Sequence, residues 1–345
     1  MPLPRGPLTP RHSANAFWTG REVLIIGGRP PAACSIDAHC ELIDPPPLRD
    51  GAAFHPSTGD WRRIADAPVP LGTTQGAVLN GTLYLWVYGW EPGPGVPPAF
   101  LSYDPPEDRW HQLPPPPQAD RGVALVAAGT QVVAIRPSHE RGRLADVAFD
   151  PSTGTWTRLP RDPLTPSFDR SMVWTGSELV LTGIDLAKSS SYSAAALHPE
   201  TGRWRVFPDA PIDGAYPTWF WAGGRVVNPT TDAHPDGCAP CGGMLDPATG
   251  TWEPLPDPPE GYGPYYGDMV VVGGEDHVVS VRGWVLEVST GRWSRLPPPV
   301  PRGRGVHHSD EAVVWAGDRL IAWGGIRAKG PKREVLNDGW AWFPT

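Results

Sequence analysis

The chain has 345 residues, with 29 Lys and Arg against 37 Asp and Glu for a formal net charge of −8, and no basic run that could neutralise a row of phosphates, which argues against nucleic acid as a partner. No stretch of about 18 consecutive apolar residues occurs, so no membrane span is expected, and residues 1–20 lack the basic-then-apolar layout of a secretion signal. Apolar residues never form a stripe of helical period, while 40 Gly and 46 Pro punctuate short apolar runs, the composition of an all-β chain with many turns.

In chain order, seven hairpins are predicted: NAFW-TGRE-VLII, AVL-NGT-LYLW, VALVA-AGT-QVVAI, SMVW-TGSE-LVLT, TWFW-AGGR-VV, MVVV-GGEDH-VVSV and AVVW-AGDR-LIAW. Their turns carry the Gly, Asn and Asp that supply positive φ. Six of these hairpins are followed by an apolar run (AAF, FLSY, VAF, AAAL, GGML, WVLEV) and a signature ending in Trp. The signatures are HPSTGDW, DPPEDRW, DPSTGTW, HPETGRW, DPATGTW and EVSTGRW, ending at Trp61, Trp110, Trp156, Trp204, Trp252 and Trp293, 41 to 49 residues apart. A short polar strand and a proline-rich link come next, giving four antiparallel strands, A to D, per repeat. A period of this size means an array of like sheets. The apolar runs are nearly continuous instead of alternating because both faces of each sheet are covered by neighbours. The signature Trp is expected between sheets, as core.

The ends carry their own signal. NDGWAWFPT aligns with strand C and the first half of a signature, so Trp342 is a strand C residue. LPRGPLTP (3–10) nearly repeats LPRDPLTP (159–166), the tail of a strand D and its link. The N-terminal segment is therefore expected as a stub beside the last strand C, and a natural product beginning further upstream, with a secretion signal, is an expectation of that stub.

The pattern resembles the kelch family over essentially the whole chain: a Trp on strand D, and a Gly pair after strand B at Gly27-Gly28 and Gly324-Gly325. The resemblance implies an all-β, seven-bladed β-propeller of four-stranded blades, a single domain over 1–345, monomeric. The corresponding B strands of repeats 2 to 5 end in YGW, IRP, TGI and NPT, and Gly273-Gly274 lies inside a turn. Copper radical oxidases with a similar fold use two Tyr, two His and a Cys crosslinked to Tyr; no Cys lies on a channel-facing strand here. Iron-dependent specifier proteins use Glu, Asp and His at intervals of four; Glu334 and Asp338 keep the first interval, and Trp342 stands where His would be. No metal or other cofactor is expected.

All four cysteines fall in two loops between strands B and C. Two local disulfides, Cys34 with Cys40 and Cys238 with Cys241, are the simplest reading, and they would favour an extracytoplasmic location. His39 and His234 leave a zinc site open, and reduced thiols are the third alternative.

Propeller geometry gathers the D-to-A links and B-to-C loops at one end, the default pocket. The polar residues expected there are Arg11, His12, Arg121, Asp169, Arg170, Tyr265, Tyr266, His307, His308, Asp310 and Glu311, with Lys188, His234 and Lys329 farther out. Arg11, Arg121 and Arg170, read as equivalent, would form a positive ring able to clamp an anion. His308 and Glu311 are the candidates for proton transfer; His307 and His308 point to opposite faces of a strand and cannot readily share one ion. The functional expectation is a binding module for a protein, glycan or small anionic ligand. The alternatives are an enzyme of lyase, isomerase or hydrolase type acting on an anionic small molecule, and an accessory protein of secondary metabolism or the cell envelope.

Overall fold

A computed structural model of the chain describes residues 1–31, 45–72, 74–88, 98–117, 123–138, 145–164, 166–186, 192–212, 218–230, 242–256, 271–280, 284–296, 306–329 and 332–344. Those residues form thirty strands joined by turns and links, with no helix among them. The first eight strands are β1 (Asn15–Trp18), β2 (Val23–Ile26), β3 (Gly51–His55), β4 (Asp60–Ile64), β5 (Thr74–Leu79), β6 (Thr82–Val87), β7 (Ala99–Asp104) and β8 (Arg109–Leu113). They make two antiparallel sheets, β1-β2-β3-β4 and β5-β6-β7-β8. The next eight are β9 (Ala124–Ala128), β10 (Gln131–Ile135), β11 (Val147–Asp150), β12 (Thr155–Arg158), β13 (Ser167–Trp174), β14 (Leu179–Asp185), β15 (Tyr192–His198) and β16 (Arg203–Val206), again two sheets in the same order. Then come β17 (Phe220–Ala222), β18 (Arg225–Asn228), β19 (Gly243–Asp246), β20 (Thr251–Pro254), β21 (Val271–Gly273), β22 (His277–Ser280), β23 (Trp284–Glu287) and β24 (Arg292–Arg295), two more.

The last repeat departs from the expected four strands. Its strands are β25 (Val306–Ser309), β26 (Ala312–Ala316), β27 (Arg319–Trp323), β28 (Ile326–Lys329), β29 (Lys332–Val335) and β30 (Gly339–Trp342), in two three-stranded sheets, β25-β28-β29 and β26-β27-β30. Each strand of an ordinary A-B-C set is broken once. Strand A breaks at Asp310 (φ 56°) and strand B at Gly324-Gly325 (φ 70° and 87°), left-handed positions that turn the chain out of one sheet into the other, and strand C breaks between Val335 and Gly339.

The chain divides into two compact units, Met1–Pro115 with Pro297–Thr345, and Pro116–Leu296. In the first, alternation along β2 explains why a B strand is apolar throughout. Leu24 and Ile26 enter a cluster with Leu83, Leu85 and Tyr103, while Val23 and Ile25 enter another with Ile321, Trp323 and Ala341. Both faces are buried against neighbouring sheets, and every residue of β2 is at most 1% exposed. The second unit repeats this: Leu179 and Leu181 pack with Val133 and Ile135, and Val180 and Ile184 with Val226 and Leu245.

The signature Trp side chains are half-buried, not wholly enclosed as core. Trp61, Trp110, Trp204, Trp252 and Trp293 each fix a link by the indole N–H. Trp110 donates to Ala65 O (2.8 Å), Trp204 to Pro160 O (3.1 Å), Trp252 to Pro208 O (2.8 Å) and Trp293 to Pro256 O (3.2 Å). Trp61 donates to Pro4 O at 3.0 Å, so Pro4 stands to Trp61 as Pro160 stands to Trp204, the equivalence that the duplicated LPR-x-PLTP segment predicts. Residues 1–3 lie along β30: Leu3 N donates to Gly339 O (2.9 Å) and Ala341 N to Met1 O (2.7 Å). The expected pairing of the N-terminal stub with the last strand C is present.

A second recurring contact uses arginine. Arg62, next to Trp61, pairs with Glu22 and donates to Pro105 O (3.3 Å); Arg205, next to Trp204, pairs with Glu178 (2.7 Å) and donates to Pro247 O (2.9 Å). Glu22 and Glu178 close the TGRE and TGSE turns, where Thr19 and Thr175 each accept from the amide of their own Glu at 3.0 Å.

Candidate functional site

In the first unit, the corner following strand B is built twice in the same way. Gly27 N donates to Asp50 O, Leu48 N to Gly28 O, Leu71 N to Leu48 O, and Gly28 N to Leu71 O. In the last repeat Gly324 N donates to Asp338 O, Leu336 N to Gly325 O, Arg11 N to Leu336 O, and Gly325 N to Arg11 O. A glycine is required because the following link lies against it: a Cβ on Gly27 would sit 2.4 Å from Leu71 O, and one on Gly324 2.8 Å from Arg11 O. Sequence reasoning found the glycine pairs and missed their partner, the Leu-x-Asp-Gly of residues 48–51 and 336–339, which is visible in the sequence as a repeat.

Arg11 does not line a mouth. Its side chain is 0% exposed, and all five N–H groups are used: Nε on Thr9 O, Nη1 on Gly27 O and Asp50 Oδ1 (2.7 Å), Nη2 on Thr9 Oγ1 and Asp50 Oδ2 (3.0 Å). Burial pushes the Asp50 carboxyl up, but the hydrogen bonds and charge of Arg11, with Arg63, outweigh it and hold the group below the usual carboxylate range. Arg170, in the second unit, is also 0% exposed and lies between two carboxylates, Asp146 (2.7 Å) and Asp162 (3.1 Å), while Nη1 donates to Arg136 O (3.0 Å). The anion-clamp expectation for these two is corrected: their donors are turned inward, to groups of the fold itself.

Their equivalence is corrected as well. In three repeats one residue of left-handed conformation marks strand A: Ser13 (φ 53°) before β1, Asp169 (φ 48°) at the register shift within β13, and Asp310 (φ 56°) between β25 and β26. Arg11 lies two residues before that point and Arg170 one after it, so they reach their carboxylates from different positions. This geometry also accounts for Asp169 and Asp310, since Asp tolerates this conformation better than most side chains. Burial raises the Asp169 carboxyl above its ordinary value.

Around Asp310 several predicted residues do come together. Ser13 N donates to Asp310 O (2.8 Å), and His12 exchanges backbone hydrogen bonds with Arg29 at 2.8 and 3.0 Å. His308 Nδ1 lies 3.6 Å from Glu311 Oε1, each side chain 10% exposed. His308 opposes Arg327 on β28, and Arg327 opposes Glu334 on β29, with an ion pair of 2.5 Å between the last two. Directly opposed residues share a face, so His308, Arg327 and Glu334 form one polar row across the sheet β25-β28-β29, the outer sheet of the last repeat. Lys329, expected in a loop, is a strand residue opposite Lys332.

His307 is a backbone member of β25, and its side chain lies outside the described structure. Arg121, Tyr265, Tyr266 and the four cysteines Cys34, Cys40, Cys238 and Cys241 lie outside the described residues. Among the described residues, no group of three or more His, Cys, Asp or Glu could hold a metal ion. A separate cleft of about 600 Å³ opens between the first two sheets, with His55, Asp60 and the Arg62–Glu22 pair in its lining. Comparison with models of known protein families and with curated proteins found no match.

Proposed function

We propose that the chain is a seven-bladed propeller of kelch type, the two three-stranded sheets of the last repeat forming one bent blade, and that it is a binding module whose corner end engages a protein, glycan or small anionic ligand. The observation that carries this reading is the division of polar groups within the first unit. Arg11 is buried and turned onto a carboxylate and carbonyls, which locks its corner, whereas Lys329, Lys332, Arg333 and Glu334 of the last repeat are held toward solvent. A rigid frame with exposed, chemically varied corners binds without large ordering cost.

The test is a panel of immobilised glycans, peptides and small anions probed with the chain and two charge-reversed variants. One is altered at the corner end (Lys329→Glu with Lys332→Glu) and one at the signature turns (Arg109→Glu with Arg203→Glu). A ligand class lost with the first variant and kept with the second is the expected result. Binding indifferent to both would remove the proposal.

A second reading is favoured by the 3.6 Å approach of His308 to Glu311. Such a pair can move protons on an anionic substrate. Under it, His308→Gln abolishes turnover of the substrate while leaving the melting temperature unchanged.

A further inference from the structure

We infer that the outer edge of β29 takes up an extended acidic segment of a partner protein as an added antiparallel or parallel strand. The inference rests on the binding-module reading and names its partner's chemistry.

Among the described residues, the C strand of the last repeat is covered along only one of its two halves. Its inner half, β30, has the N-terminal segment at its outer edge, through Leu3 N to Gly339 O and a bridge between Pro2 and Trp340. Its outer half, β29, pairs with β28 from Lys332 to Val335, and among the described residues no strand pairs with its other edge. An open edge presents a row of backbone donors and acceptors, the template for strand addition.

Charge decides what the edge accepts. Residues 326–335 hold Arg327, Lys329, Lys332 and Arg333 against Glu334, four positive charges less one negative, or +3, in a chain of net −8. Lys329 and Lys332 are two of the three lysines in the protein. Lys329, Lys332, Arg333 and Glu334 are all exposed. Successive residues of β29 face opposite sides, so Lys332 stands above an incoming strand and Arg333 below it. The half-buried Val335 offers an apolar contact at the inner end of the edge.

The same charges bear on the commonest competitor. A second copy pairing its own β29 in parallel would set Lys332 and Arg333 against Lys332 and Arg333, and opposed like charges destabilise a strand pair, whereas a centred antiparallel copy would set each Arg333 against a Glu334. A partner strand carrying carboxylates throughout meets Lys332 and Arg333 in either direction, and edge lysines are a known defence against self-association.

Short capped peptides of alternating Glu and Thr, their Lys-for-Glu counterparts, and Glu–Thr peptides N-methylated on alternate amides are titrated into the full chain by fluorescence anisotropy. Binding is expected for the first set only, weakened about tenfold or more by Lys332→Glu with Arg333→Glu and unchanged by Arg109→Glu. Equal binding of Lys peptides, or binding retained after charge reversal, overturns the inference. So does indifference to N-methylation, which would mean diffuse attraction without strand pairing. Sedimentation showing self-association that the double variant abolishes would assign the edge to a second copy instead. If acidic peptides fail while a glycan or small anion still binds the corner end, only the partner chemistry falls. If no ligand class responds to corner-end substitutions, the binding-module reading falls with it.

Discussion

Arg11 shows how a side chain flagged as a ligand contact becomes part of the frame. The sequence shows a charged residue at the start of a strand, but its burial depends on Asp50, which lies 39 residues away and has no motif of its own beyond the Leu-x-Asp-Gly repeat. Arg11→Met removes the buried partner of a carboxylate that keeps Arg63 at 3.6 Å and is itself 24% exposed, so the expected cost falls below the roughly 3–5 kcal/mol of a fully buried pair, measurable by urea unfolding. The folded-state value of Asp50 lies below its ordinary value of 3.8. The pair's contribution is therefore complete above that value and is lost as pH falls through the lower, folded one. The pH dependence of unfolding between neutral pH and pH 3 should flatten in Asp50→Asn, already destabilised at neutral pH; an acid limb as steep as that of the native chain would mean that another carboxylate controls it.

At the scale of elements, the seven hairpins were legible because their turns state their own chemistry: Asn80-Gly81, with φ of 52° and 83°, closes β5 to β6, and the Thr of TGRE and TGSE ties the turn to its Glu. The outer sheet of the last repeat was not legible. IRAK and KREV have too few apolar residues to announce strands, and they pair because β27 continues past Gly324-Gly325 into β28. Gly325→Ala tests that dependence. With φ at 87° and a Cβ 2.6 Å from Ser309 O, it carries a left-handed penalty of about 1–2 kcal/mol in addition to the clash. Faster amide exchange in β28 and β29 than in β26 and β27 is expected. The Trp ladder gives a milder case: Trp204→Phe removes the bond to Pro160 O and keeps most of the packing, an expected loss of about 1 kcal/mol in thermal or urea unfolding.

At the scale of the molecule, the repeat period gave the sheet order in advance, because a hydrophobic run that must bury both faces allows few other arrangements. The chemistry of the corner end was less legible, since the side chains there are chosen repeat by repeat and their burial follows from contacts between distant segments. The N-terminal segment lies between these cases, being readable as a link only because residues 159–166 duplicate it. Its role can be isolated by deleting residues 1–4. The deletion removes the bonds from Leu3 N to Gly339 O, from Ala341 N to Met1 O and from Trp61 Nε1 to Pro4 O, each contributing about 0.5–1.5 kcal/mol. It also opens the edge of β30, an apolar strand containing Trp340, Ala341 and Trp342, to association with other chains. The truncated chain should lose exchange protection at Ala341, show altered Trp61 emission, and aggregate below the melting temperature of the native chain. Adding the MPLPRGPLTP peptide in trans should restore protection at Ala341. Protection and solubility that survive the deletion would show that β30 does not depend on this segment, and that the match between residues 3–10 and 159–166 carries no structural role.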